Sequence, residues 1–99
     1  MKYKHRFDPL AVNEYEKAYL WYFKRSILAA ENFVKEIDQC ISLICTDPYR
    51  YRNPYKKFRE ISLKKYPFYI IYFIDDAIKT VIITSVYHHK RRPGRKYKK

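Results

Sequence analysis

Glycine is almost missing from this chain: 99 residues contain one, Gly94. That excludes both common glycine-rich phosphate loops, because each needs several glycines within a few positions. Cysteine is nearly as scarce. Cys40 and Cys45 fall five positions apart in a helical pattern, which turns them to different faces and argues against a mutual disulfide; both read as packed thiols. Long apolar runs are also lacking. The longest, Phe68 to Ile74, is far short of the ~20 residues a membrane-spanning helix needs. The opening MKYKHRFDP has no apolar segment of the signal-peptide kind, so a cytoplasmic protein with no membrane contact is expected. His5, His88 and His89 with two helical cysteines match no familiar ligand spacing, so no metal and no cofactor is implied.

Acidic residues are few as well, ten against 22 lysines and arginines, for a net charge of +12. The distribution says more than the total. Asp8 to Asp47 holds seven acids and four bases; everything else holds three acids and eighteen bases. A neutral-to-acidic layer backing a strongly cationic one is how a surface for a polyanion or an acidic protein is built. A merely solubilising charged surface is the bland alternative. At this length the chain is one domain, able to bury about two-thirds of its unfolded surface without staples.

Tyr3 to Phe7 alternates apolar and basic residues, which suits a half-buried strand. Asp8-Pro9 reads as a helix start, with the aspartate capping and the proline in the first turn. A helix is predicted from Leu10 to about Lys24, its stripe formed by Val12, Tyr15, Tyr19 and Tyr22 and widened by Leu20 and Trp21. Ser26 is a second cap. Ala30, Phe33, Ile37, Ile41 and Ile44 keep helical register up to Asp47-Pro48, where the residue before proline leaves the helical region. Pro48 to Tyr55 reads as a loop. Lys57 to Lys65 alternates, with Arg59, Ile61 and Leu63 expected on the buried face and Phe58, Glu60, Ser62 and Lys64 on the solvated one. Phe68 to Ile74 and Ile78 to Tyr87 are strand runs joined by the turn chemistry of Asp75-Asp76. The order is β-α-α-β-β-β: an α+β domain over residues 1–90, with a helical hairpin on one face of a mainly antiparallel sheet. Residues 91–99 form a basic tail with too few apolar side chains to fold alone.

The last strand leads into His88-His89-Lys90-Arg91-Arg92, placing cationic donors at one sheet end. A metal-free ribonuclease needs a group to deprotonate a 2′-hydroxyl, one to protonate the leaving oxygen, and cations about the phosphate. Glu60 is a candidate base and His88 or His89 a candidate acid, histidine titrating near working pH. Arg91, Arg92 or Lys64 would clamp the phosphate. The dull reading sits beside each: Glu60 pairing with Lys64 or Arg59, the histidines ordinary strand-end residues, the arginines contacts for a partner protein. Cysteine nucleophiles have no support, since both thiols lie in an apolar helix pattern.

Trp21-Tyr22, then Ser26 with AAENFVKEID, a proline loop, REISLKKYPFYIIYFID and finally SVYHHKRRP resemble the RelE/ParE superfamily of type II toxin-antitoxin toxins over nearly the whole chain. The series Arg59, Leu63, Pro67, Phe68 followed by His88, Arg91, Pro93 looks most like the ParE branch. The resemblance implies a cytoplasmic growth inhibitor of the same β-α-α-β-β-β order, partnered by a cognate antitoxin whose C-terminal segment wraps it. ParE-like members block DNA gyrase; RelE-like members cut mRNA on the ribosome. RelE-like enzymes place an arginine where Tyr69 stands here, and strand lysines near Glu60 and Ser62; Tyr97 is the nearest match to their C-terminal tyrosine. A strand-end histidine serves some members as acid or base, and His88 falls about there. The resemblance therefore implies target or phosphate contacts among Arg59, Lys64, Lys65, Tyr69, His88, Arg91, Arg92, Arg95 and Lys96. A gyrase-directed toxin is the favoured expectation, an mRNA endonuclease the alternative, and a non-toxic basic binding module the third.

Overall fold

The computed structural model describes residues 2–90; the predicted basic tail, with Arg91, Arg92, Arg95, Lys96 and Tyr97, lies outside the described residues. The elements are β1 (Lys4–Phe7), α1 (Pro9–Phe23), α2 (Ile27–Thr46), β2 (Arg52–Tyr55), β3 (Phe58–Ser62), β4 (Phe68–Asp75) and β5 (Thr80–His88). They make one five-stranded sheet of order β1-β5-β4-β3-β2, with β1 parallel to β5 and the remaining pairs antiparallel. Both helices cover one sheet face. The expected fold is therefore present, with β2 as an additional short edge strand inside the segment read as a loop. Pro54 hid it: proline cannot serve a central ladder, yet an edge strand tolerates it.

Local chemistry explains the boundaries. Pro9 occupies the first turn of α1, while Asp8 holds the cap position in extended backbone without a capping side-chain bond. Ser26 does cap, its Oγ accepting the Ala29 N–H at 3.1 Å. The β4–β5 turn is held by Asp75 Oδ1, which accepts from the Ala77 N–H at 3.2 Å, and by Lys79 in the left-handed region at φ 50°. A bulge follows. Ile71 pairs with Ser85 but Tyr72 with Ile83, so Thr84 is the extra residue on β5.

The main core lies between helices and sheet, where Phe33, Ile37, Ile44, Tyr72, Val81, Ile83 and Val86 are fully buried. Each such side chain contributes about 1.5–3 kcal/mol by leaving water. Cys40 and Cys45 are buried in that same cluster as free thiols, because α2 packs a wide arc of its surface. The α1 stripe differs from expectation. Ala11, Glu14 and Ala18 face the sheet, Tyr15 and Tyr22 flank it, and Val12, Leu20 and Trp21 stay exposed. Small alanines let the helix axis approach the strands, and that closeness pushes the bulky rings aside.

A second, smaller cluster lies on the far face, with Phe58, Ile71 and Tyr87 buried and Tyr69 and Phe73 packed against them. This corrects the reading of β3. Phe58 and Glu60 are buried, not solvated, while Arg59 and Ile61 on the helix side are only half-buried. Alternation says which residues share a face; the large side chains arriving from β4 and β5 decide whether that face is wet.

Candidate functional site

The sheet end formed by the β3–β4 loop and the exit of β5 gathers the predicted residues. His88 pairs with Phe68 in register, and its ring meets the Phe68 ring edge-on at 5.0 Å. Phe68 belongs to the helix-side core, so His88 lies on that side too. There it borders a pocket of about 380 Å³ with Glu14, Lys17, Trp21, Tyr22 and Pro67. The Lys90 N–H donates to His88 Nδ1 at 3.0 Å, which makes that nitrogen the acceptor and leaves the imidazole proton to Nε2.

His89 takes the other face. Its N–H donates to the Pro67 carbonyl at 2.9 Å, its ring lies 4.2 Å from that of Tyr69, and its Nε2 is 3.4 Å from Ser62 Oγ. Glu60, paired with Ile71, is on this far face as well. Its side chain is 1% exposed and sits 3.5 Å from Arg52 Nε across the β2–β3 pair. The sheet therefore stands between Glu60 and His88. Glu60 and His88 are not brought together, because strand period sends Ile71 and Phe68, and with them their partners, to opposite faces, whereas His89, the other candidate acid, shares the far face with Glu60.

The remaining predicted residues divide. Arg59 donates through Nη1 to the carbonyls of Tyr49 at 3.0 Å and Tyr51 at 2.9 Å, fastening the α2–β2 loop. Lys64 and Lys65 have exposed side chains, while their backbone N–H groups are held by the Glu36 carboxylate, at 3.2 and 3.3 Å for Lys65. Tyr66 adds a second tie from this loop, its hydroxyl donating to the Ala29 carbonyl at 2.7 Å. The loop beneath the histidines is thus anchored to α2, and two ammonium groups project from it. Tyr69 is half-buried beneath His89.

Two residues that carry this frame, Glu14 and Arg52, were not singled out from the sequence, and Asp76 was read only as part of a turn. Glu14 is 6% exposed, and its Oε1 accepts from Ser85 Oγ at 2.7 Å and from the Val86 N–H at 2.9 Å. The signal was an acid spaced three and four from Ala11 and Ala18. Arg52 was hidden in a segment read as loop. Asp76, at the opposite sheet end, receives the hydroxyls of Tyr49 and of Tyr3, the latter at 3.2 Å, with Lys79 Nζ at 3.7 Å. The Tyr49 hydroxyl holds the Asp76 carboxyl below its usual value, and the same bond raises Tyr49 to about 12.

This arrangement of strands, helices and cationic loop end has known counterparts. A sequence model described as the ParE toxin of the type II toxin-antitoxin system parDE matches residues 5–93. The chain belongs to the ParE toxin family. The fold agrees with a chromosomal ParDE toxin-antitoxin system from P. aeruginosa, at a TM-score of 0.73 and 13% identity, covering 88% of this chain and 96% of that one. It also resembles a substituted E. coli RelE toxin in the free state, at a TM-score of 0.66 and 17% identity, with 91% and 86% covered. The RelBE2 toxin-antitoxin complex of Mycobacterium tuberculosis follows at 0.59 and 19%, with 89% and 99% covered. No curated protein matches the sequence. Among the described residues of this ParE-family chain, no helix is long and apolar enough to cross a membrane.

Proposed function

We propose that this ParE-family toxin arrests growth by binding DNA gyrase rather than by cutting mRNA. The observation that carries the proposal is the burial of Glu60, whose side chain is 1% exposed and lies 3.5 Å from Arg52 Nε, with the sheet standing between it and His88. General acid-base cleavage needs both groups within hydrogen-bond reach of one substrate. Tyr69 at the position where the nuclease branch carries arginine supports the same reading.

A cognate antitoxin is the proposed second partner. The outer side of α1 keeps a groove of about 640 Å³ lined by Phe7, Val12, Tyr15, Tyr19, Leu20 and Val34. An amphipathic antitoxin segment would lay its apolar side there, beside Glu16 at the groove. The test is a supercoiling assay with purified gyrase. Inhibition at micromolar toxin, relieved by stoichiometric antitoxin, is expected; no inhibition, together with codon-associated mRNA cuts during expression, would replace gyrase with the ribosome.

A further inference from the structure

The β2–β3 hairpin lies at the sheet end remote from the histidines and holds cations and rings in alternation: Arg50-Tyr51-Arg52-Asn53-Pro54-Tyr55-Lys56-Lys57-Phe58. It contains no acid. Among the described residues nearby, Glu60 meets Arg52, and Asp76 is already engaged by two hydroxyls and Lys79. Arg50, Lys56 and Lys57 have no acid within the hairpin to offset them, so this surface gains most from an anionic ligand.

The hairpin is also stiff. Lys56 sits in the left-handed region at φ 49°, and the Asn53 side-chain amide donates to the carbonyls of Lys56 at 2.9 Å and Phe58 at 2.7 Å, pinning the turn from within. Its cations lie against rings rather than reaching away from them. Lys57 Nζ is 4.1 Å from the Phe73 centroid, Lys56 Nζ 5.3 Å from that of Tyr55, and the Arg50 guanidinium 6.0 Å from that of Tyr51. Tyr55 is 46% exposed. By register Tyr55 shares the far face with Phe58, against which Phe73 packs edge-on at 6.2 Å.

We infer that this hairpin is a binding site for single-stranded nucleic acid, with Lys56 and Lys57 on its phosphates and Tyr55 under an unstacked base. Interleaved cations and aromatic rings are the elements such strands need: charge along the backbone and a flat apolar surface for bases that have lost their neighbours. A duplex offers the phosphates but keeps its bases stacked, so Tyr55 discriminates between the two. The inference goes beyond the gyrase reading, and its assay contains neither gyrase nor antitoxin.

The test uses the full chain and a fluorescein-labelled 12-nucleotide DNA strand, alone or annealed to its complement, followed by anisotropy over a salt series. Expected is binding of the single strand at least about five-fold tighter than the duplex, the scale of one base stacked on a ring. Lys56→Gln with Lys57→Gln flattens the slope of log affinity against log salt by about 1.4, each phosphate contact on a single strand contributing about 0.7. Tyr55→Ala lowers single-strand affinity about five-fold or more and leaves that slope unchanged. Equal affinity for strand and duplex, or unchanged binding by Tyr55→Ala, overturns the inference and leaves a general polyanion surface. Photocrosslinking of a bromodeoxyuridine strand to the unsubstituted chain needs no variant to fold: crosslinks mapping to residues 50–58 or to Phe73 support the site, and crosslinks mapping only elsewhere overturn it.

Discussion

Glu14 of α1 supplies the acceptor for the Val86 N–H, at 2.9 Å, just beyond the bulge that makes Thr84 an extra residue on β5. A bulge interrupts the regular ladder, and a buried N–H without an acceptor is expensive. The same carboxylate oxygen takes the Ser85 hydroxyl, so one side chain joins the helical layer to the strand that delivers both histidines.

Glu14→Ala should therefore destabilise the fold by about 2–4 kcal/mol, combining the loss of hydrogen bonds to a charged acceptor with a buried N–H left unsatisfied. Glu14→Gln retains an acceptor oxygen and should recover roughly half of that loss. Urea denaturation followed by tyrosine and tryptophan fluorescence measures both; an alanine variant with an unchanged midpoint would show that the contact does not hold α1 to β5.

Glu60→Gln and His88→Ala should each keep growth arrest on induction and inhibition of supercoiling. If either group did general acid or base work, its removal would cost about 10²–10⁴-fold in cleavage rate and abolish toxicity. Growth curves of induced cultures with parallel mRNA mapping decide the matter, and a non-toxic variant that still folds would favour the endonuclease.

Both thiols should resist modification in the native state. Burial is the main cause pushing the Cys40 thiol up to about 11, reinforced by Glu36 and opposed by Lys64; burial also raises Cys45, with Lys2 opposing. At pH 8 the reactive thiolate of Cys40 is then about one part in a thousand. Ellman's reagent should release two equivalents rapidly in denaturant and almost none without it.

The Asp76–Tyr49 contact sets a pH dependence with two edges. A carboxyl held below its ordinary value of 3.8 stabilises the fold above that value and loses its contribution as pH falls through the lower folded value. A phenol raised from 10.0 to about 12 stabilises the fold below 10.0 and loses its contribution between there and about 12. Tyr49→Phe removes the bond, so its stability difference from the unsubstituted chain should stay level from about pH 5 to 9 and shrink beyond either edge. A difference that is the same at pH 3 and pH 7 would exclude Asp76 as the partner that matters.

Much of the fold was legible because it is written in local terms. The register of Phe33, Ile37, Ile41 and Ile44, the Ser26 cap and the proline after Asp47 each state a helix and its limits within a few residues. The runs Phe68 to Ile74 and Ile78 to Tyr87 with aspartates between them state a hairpin in the same way. β2 was not legible, since proline and asparagine in a four-residue edge strand look like a loop. Nor was the partnership of Glu14 with Val86, whose members stand 72 positions apart.

The candidate site shows the same division. Composition and order alone determined a cationic α+β chain with two histidines at the end of its last strand, and the spacing of Arg59, Leu63, Pro67 and His88 pointed to the toxin family to which it belongs. Only the tertiary structure decided that His88 faces the helices and His89 the far face with Tyr69, that Glu60 is buried against Arg52, and that Arg59 holds a loop. The reason is physical: period and propensity act between near neighbours along the chain, whereas the covering of a sheet face depends on side chains that arrive from other strands.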